Sequence, residues 1–248
     1  VTEPARLSGV SVFLPCHNEE GNIERVTAAL EAELPRIADQ YEIIVVNDGS
    51  SDRTGAIADA LAAANSRLKV VHHQVNRGYG AAVISGIRAC TQPWVVLCDG
   101  DGQFETADIG RLAARVPDCD AVVGHRVNRA DPVMRRINGH AWTILMRLLL
   151  GIRLSDIDCG LKLFRRDLLE GIELQARGAM ISAELMANLA GRGARICEVD
   201  VHHLPRTSGE QSGASLKVIA RAFRELFLLY GRLRSVRRNT TPVHPAHD

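Results

Sequence analysis

Asp99-Gly100-Asp101-Gly102-Gln103 places two carboxylates and a carboxamide within five residues. The segment follows Pro93-Trp94-Val95-Val96-Leu97-Cys98, a mostly apolar run that reads as a buried strand. Carboxylates at i and i+2 on the C-terminal tip of a strand, with glycines that let the backbone turn, offer clustered oxygen ligands. Such ligands suit a hard divalent cation, Mg²⁺ or Mn²⁺, and Mg²⁺ is typically held by one or two carboxylates together with substrate phosphates. Asp99, Asp101 and Gln103 are therefore candidate cation and diphosphate residues. Taken alone, the same five residues also read as a solvated Asp-Gly turn closing a strand.

The elements that must position this turn alternate between strand and helix signals. Residues 10–14 form a strand expected to stop at Pro15, and 19–34 have helical apolar spacing (Ile23, Val26, Leu30, Leu34) with acidic residues in the first turn. Residues 42–46 form the second strand, and the polar run Asn47-Asp48-Gly49-Ser50-Ser51-Asp52 caps a helix from about 53 to 64. A strand at 68–72, a small-residue helix at 78–90, a strand at 94–98, a helix near 107–116 and a strand at 121–123 follow. The second half is less regular, with helices at 135–150, 182–190 and 214–233 and strands at 160–164 and 196–201.

Repeated strand-helix-strand units with uninterrupted apolar strands predict an α/β fold, a mostly parallel Rossmann-like sheet with helices on both faces. Ligands of such sheets bind at the C-terminal ends of the strands. The polar clusters after strand one (His17, Asn18, Glu19), strand two (Asn47, Asp48) and strand four (Asp99, Asp101, Gln103) fall on that one edge. Their coincidence favours the cation and nucleotide reading over the turn reading.

With 248 residues and 46% hydrophobic content, the chain can bury one sizeable core, and a net charge of +1 argues against nucleic-acid binding through bulk charge. The six cysteines (Cys16, Cys90, Cys98, Cys119, Cys159, Cys197) have no metal-ligand spacing and read as reduced thiols of a cytoplasmic protein. Residues 1–9 do not read as a secretory leader, and no apolar stretch reaches about 18 residues, so none is expected to span a bilayer. The expected organisation is a catalytic domain over 1–213, a basic amphipathic helix over 214–236 and a disordered tail over 237–248. That helix carries Lys217, Arg221, Arg224, Arg232 and Arg234 against Glu225 alone. It suits the headgroup plane of an anionic membrane, and equally packing on the domain or on a twin subunit in a homodimer.

A dinucleotide-dependent dehydrogenase would carry G-x-G-x-x-G after the first strand, where this chain has Pro15-Cys16-His17-Asn18-Glu19-Glu20. Four segments instead resemble family 2 glycosyltransferases of the GT-A fold. They are Leu14-Pro15-Cys16-His17-Asn18-Glu19, Val46-Asn47-Asp48-Gly49-Ser50-Ser51-Asp52, Asn76-Arg77-Gly78-Tyr79-Gly80-Ala81-Ala82 and Asp99-Gly100-Asp101-Gly102-Gln103. Further on, Val122-Val123-Gly124-His125-Arg126, the run Asp158-Cys159-Gly160-Leu161-Lys162-Leu163-Phe164-Arg165-Arg166 and residues 198–206 are similar to the polyprenyl-phosphate branch, the dolichol-phosphate-mannose-synthase-like enzymes. The chain departs from the family pattern at His17 (usually tyrosine), Asn47 (usually aspartate), Gly100 (usually alanine) and the loop 206–213.

The resemblance implies an inverting, metal-dependent transfer from an NDP-sugar, with UDP or GDP as the carrier. Asp48 would accept a hydrogen bond from the base, Pro15, Asn18 and Glu19 would shape the nucleoside pocket, and Arg77 would stack on or hydrogen-bond the nucleotide. Asp99, Asp101 and Gln103 would face Mg²⁺ or Mn²⁺ and the diphosphate. A hydroxyl acceptor would need a general base, for which Asp158 and Glu184 are the candidates. A phosphate acceptor is already an anion and needs cations, which Arg126, Arg135, Arg136 and Arg206 offer. Asp101, Arg126 and Asp158 form the expected catalytic set, and one of His202 and His203 could add a late metal ligand. Three functions are expected, in order of preference. The first is a cytoplasmic, membrane-peripheral transferase acting on polyprenyl phosphate at the inner face of the plasma membrane. The second is a soluble transferase acting on a hydroxyl of a small molecule or glycan. The third is a sugar-nucleotide-binding protein without activity.

Overall fold

Valine- and isoleucine-rich runs become the strands, and the polar turns after them line one edge of the sheet they build. The computed structural model describes residues 6–127, 142–149, 151, 154–206, 225, 226 and 231. In chain order these form β1 (Val10–Cys16), α1 (Ile23–Ile37), β2 (Tyr41–Asp48), α2 (Thr54–Ala64), β3 (Leu68–His73), α3 (Tyr79–Ala89), β4 (Trp94–Cys98), α4 (Asp108–Ala113) and β5 (Ala121–Val127). They continue with α5 (142–149), β6 (Leu161–Arg165), a 3₁₀ turn (Arg166–Leu169), α6 (Met180–Gly191) and β7 (Ile196–His202). Arg135, Arg136, the loop 207–213, most of the basic segment 214–236 and the tail lie outside the described residues.

The sheet order is β3-β2-β1-β4-β6-β5-β7. Six strands run the same way, and β6 runs against both of its neighbours, pairing Cys98 with Leu161 on β4 and Val123 with Lys162 on β5. This one reversed strand has a functional consequence. It starts where the others end, so the turn preceding it, 156–160, joins the ligand edge.

Most strands outrun their expected limits at the C-terminal end, β5 by four residues to Val127 and β1 and β2 by two each. β1 continues through Pro15 to Cys16, pairing with Val46 and Asn47 of β2, whereas its ladder to β4 ends at Phe13. A proline is tolerated where one side of a strand has no ladder to complete. β2 extends through Asn47 and Asp48 because β3 supplies partners in His72 and His73. Both residues are thus strand ends, with the rigidity of the sheet behind them.

The cysteines require a correction. Cys16, Cys90, Cys98 and Cys159 are buried free thiols, as expected, but Cys119 and Cys197 are joined, with Cα atoms 6.0 Å apart. The two are 78 residues apart in sequence, and the parallel pairing of β5 with β7 brings them together.

α1 lays Ile23, Val26, Leu30, Leu34 and Ile37 on the sheet. α3 buries Gly80, Ala81, Ala82, Val83 and Gly86, which allows close approach to β1 and β2. At Gly86 a Cβ would overlap the ring of Phe13, itself fully buried in β1. Gly86→Ala therefore sets a helix-propensity gain of about 1 kcal/mol against overpacking of about 1–3 kcal/mol. Net destabilisation is expected in urea unfolding; a more stable variant would show that the α3–β1 contact yields easily.

Candidate active site

Backbone geometry holds the turn after β4 in place. Gly102 adopts φ +71°, a left-handed conformation that favours glycine, and Gln103 N–H donates to Asp101 Oδ1 at 3.0 Å, closing the turn locally. At Gly100 a Cβ would strike Cys16 Sγ, so glycine in place of the family's alanine matches the cysteine at the end of β1. Asp99 N–H donates to the Gly160 carbonyl at 3.1 Å, and a Cβ at Gly160 would overlap the Asp99 carboxylate. Gly160 is thus the floor on which Asp99 rests.

Tyr79, the first residue of α3, donates its hydroxyl to Asp99 Oδ1 at 2.9 Å. Burial and the adjacent Asp99 push the Tyr79 phenol well above its usual range, so it stays a donor. Asp99 is pushed up to about 7, first by burial and then by the neighbouring Asp101 charge, although Tyr79, Lys162 and Arg126 all favour its ionised form. An Asp99 carboxylate whose charge burial and Asp101 oppose, in an all-oxygen donor set with Asp101 and Gln103, fits a Mg²⁺ or Mn²⁺ ion. Asp99, Asp101 and Gln103 are the residues that would hold it.

The other predicted residues come to the same edge by different routes. Asn18 adopts φ +58°, and its Oδ1 accepts from the Ser51 N–H at 2.9 Å, while its own N–H donates to Ser50 Oγ at 3.0 Å. Asparagine tolerates this conformation because its short amide can bond locally. The turns after β1 and β2 are thereby laced together, with Glu19 N–H donating to Thr54 Oγ1 at 2.8 Å. Pro15 is buried at the end of β1, and Arg77 is exposed.

Asp48 is held on both oxygens. Oδ1 pairs with His73 Nδ1 at 2.5 Å and accepts from Arg77 N–H at 2.9 Å, and Oδ2 accepts from Gly78 N–H at 2.8 Å. His73 in turn meets Ser85 Oγ at 2.9 Å through Nε2. Asp48 therefore organises the turn that launches α3, and so the placement of Tyr79. His72 meets Asn47 Nδ2 and Asp59 Oδ1.

Arg206 reaches the turn after β4 from the segment that follows β7. Its Nη2 lies 2.5 Å from Glu19 Oε1 and its Nη1 lies 3.7 Å from Asp101 Oδ2. The segment leading to it lies antiparallel to the turn, with Gln103 Nε2 donating to Leu204 O at 3.1 Å and Leu204 N–H donating to Gln103 O at 2.8 Å. Glu19 is raised above its ordinary range by burial, against the opposing pull of Asn22 and Arg206.

Arg126, at the end of β5, forms a two-point pair with Asp156, Nε to Oδ2 at 2.6 Å and Nη2 to Oδ1 at 2.7 Å. Asp156 itself is anchored by its N–H to Glu198 Oε1 at 3.2 Å. Asp158 lies on the same turn, close enough to act electrostatically on Tyr79, Arg126 and Lys162. Glu184 is buried on α6, where Oε2 accepts the Gln175 and Ala176 N–H groups, and it braces that loop. His202 turns away to Asp108 and Glu105, while His203 is buried and packs edge-on against Phe104.

A family model described as Glycosyl transferase family 2 matches residues 11–172, well over half of the chain. The chain belongs to glycosyl transferase family 2. Similar proteins include the undecaprenyl-phosphate 4-deoxy-4-formamido-L-arabinose transferases of Pseudomonas paraeruginosa, 30% identical, and Pseudomonas fluorescens, 29% identical. The matches cover 88% and 89% of this chain but only 64% of each relative, so the chain spans less than two thirds of their length. The fold is that of glucosyl-3-phosphoglycerate synthase from Mycobacterium tuberculosis, with a TM-score of 0.70, 21% identity and coverage of 91% of this chain and 80% of that one. That synthase has been crystallised with Mn²⁺, UDP-glucose and phosphoglyceric acid. The GT-A expectation is therefore met.

Motif reading found the turns but missed Tyr79, Asp156, Gly160 and Lys162 as parts of this glycosyltransferase edge. Each lay inside or beside a quoted segment, and nothing local marks it, because its role is a contact across strands.

Asp99's raised value has a sign that can be checked. Without a cation, Asp99 binds its proton more tightly in the folded than in the unfolded chain. Its contribution to stability therefore falls as pH rises from about 4, the unfolded value, to about 7. A divalent cation must displace that proton, so the thermal shift produced by Mn²⁺ is expected to grow between pH 5 and pH 8. Asp101→Asn lowers the Asp99 value and flattens the metal-free pH dependence, as carboxyl-carbon NMR titration would register. An unchanged Asp99 titration in that variant would refute the coupling.

Proposed function

We propose that the chain transfers a sugar from a nucleoside-diphosphate sugar to a polyprenyl phosphate, with inversion at the anomeric carbon. The observation that carries this reading is Arg206, whose guanidinium spans Glu19 and Asp101 and so brings a planar phosphate-binding fork to the cation turn. Undecaprenyl phosphate stands in the names of the similar Pseudomonas transferases.

Asp99, Asp101 and Gln103 would hold Mg²⁺ or Mn²⁺ beside the donor, and the cation would supply charge neutralisation for the departing diphosphate. Asn18, Glu19, Pro15 and Arg77 border the nucleoside, with Asp48 fixing the turn that carries Arg77. An acceptor phosphate oxygen forms the new bond to the anomeric carbon as the bond to the diphosphate breaks, and the electron pair leaves with the nucleoside diphosphate. The nucleophile carries its own negative charge, so no proton need be removed from it. Arg206 orients that phosphate, Arg135 and Arg136 are further candidates to meet it, and Arg126 contributes positive potential from its pair with Asp156. Asp158 would serve as base only for a hydroxyl acceptor.

No helix among the described residues is long and apolar enough to cross a membrane. On α5, Ile144 and Leu148, one turn apart, are 48% and 78% exposed, an apolar pair that could meet a bilayer surface, and the sequence of 214–236 is rich in Lys and Arg.

Incubation with labelled UDP- and GDP-sugars, a 4-deoxy-4-formamido-L-arabinose donor among them, together with Mn²⁺ and undecaprenyl phosphate is expected to place label in the lipid phase. Transfer only to a water-soluble acceptor would overturn the lipid reading, and metal-dependent nucleotide binding without turnover would support a binding protein instead. Asp101→Ala is expected to lower transfer by about a hundredfold or more, since charge stabilisation by the cation is worth several kcal/mol. Full activity in that variant would remove the cation from the mechanism.

A further inference from the structure

Lys162 has no exposed surface, although it lies in the apolar strand Leu161-Lys162-Leu163-Phe164. An aliphatic residue would fill that place more cheaply, because a buried ammonium is costly unless its hydrogen bonds are met. β6 sets Lys162 opposite Leu97 of β4 and Val123 of β5, at the centre of the sheet. Its Nζ donates to the Cys159 carbonyl and, at 3.2 Å, to Ser182 Oγ on α6.

Cys159 is the middle of the turn 158–160, whose other side is tied down through Asp156 by Arg126. The next residue, Gly160, accepts the Asp99 N–H and leaves no room for a Cβ beneath the Asp99 carboxylate. A small shift of this turn therefore moves Asp99 directly.

We propose that Lys162 is a positioning residue, whose buried ammonium grips the Cys159 carbonyl and thereby sets the turn 158–160 against Asp99. The consequence for cation binding rests on the reading of Asp99 and Asp101 as the cation site; the positioning of the turn does not. Two effects oppose one another here. A fixed positive charge close to a cation site repels the cation, so a Lys162 acting only through its charge would weaken binding, and its removal would tighten it. A Lys162 acting through the turn does the reverse.

Lys162→Met keeps the side-chain volume and removes the charge, while Ser182→Ala keeps the charge and removes one of its partners. Three measurements apply to both variants: the thermal midpoint, amide hydrogen exchange across 158–161, and Mn²⁺ affinity by electron paramagnetic resonance. The expected result for Lys162→Met is a thermal midpoint close to wild type, faster exchange in the turn and Mn²⁺ binding weaker by about tenfold or more, the range seen when groups behind metal ligands are lost. Ser182→Ala should move the last two readouts the same way by less. Unchanged exchange, or Mn²⁺ affinity that is unchanged or tighter, overturns the proposal. If the wild-type chain itself binds no Mn²⁺, the cation-site reading fails and the exchange measurement alone decides the positioning role. If Lys162→Met does not fold, Ser182→Ala decides it by the same criteria.

Discussion

Negative charge concentrated at one end of a sheet is the constraint around which this protein is built. Asp99 and Asp101 stand two residues apart at the end of β4, and Glu19 and Asp158 lie near them. Water would screen such a cluster, but burial removes much of that screening and raises the cost of each charge. The chain answers with cations from distant segments: Arg206 on Glu19 and Asp101, Arg126 on Asp156, and Lys162 beneath the turn before β6. These do not suffice to return Asp99 to the ordinary carboxylate range, and the remaining imbalance is the one a divalent cation would meet.

Close contacts that leave no space for a side chain hold this charge in position. Gly100 fits against Cys16 and Gly160 fits under Asp99, so the end of β1, the turn after β4 and the start of β6 are locked against one another. Asp48 performs the same service through hydrogen bonds, binding two backbone N–H groups at the entrance to α3 and so fixing Tyr79 above Asp99. The turns become extensions of the sheet, so their side chains are held in place by it.

The arginines divide between two kinds of work. Arg126 is nearly enclosed and bound at two points to one carboxylate, an arrangement that braces the 156–160 turn. Arg206 touches two carboxylates on different segments, one of them at 3.7 Å, and so bridges the turns after β1 and β4. The sequence offered both as phosphate candidates, with Arg126 also in the catalytic set; their partners separate them.

The α/β class, the strand and helix sequence of the first half and the shared edge of the polar clusters were legible in the chain. They depend on local periodicity and on the residue types just beyond each strand, and both are written within ten or so residues. The Asp99–Gln103 turn was legible for the same reason. The reversal of β6, the pairing of Cys119 with Cys197, the reach of Arg206 to Glu19 across 187 residues and the burial of Lys162 were not. Each is set by which strands become neighbours, a choice made by the packing of the whole core, and no local pattern encodes it. The sequence by itself determined which groups could bind a cation and a phosphate. The tertiary structure decided which of them meet, because Coulomb forces and hydrogen bonds act over ångströms in space and not over residues along the chain.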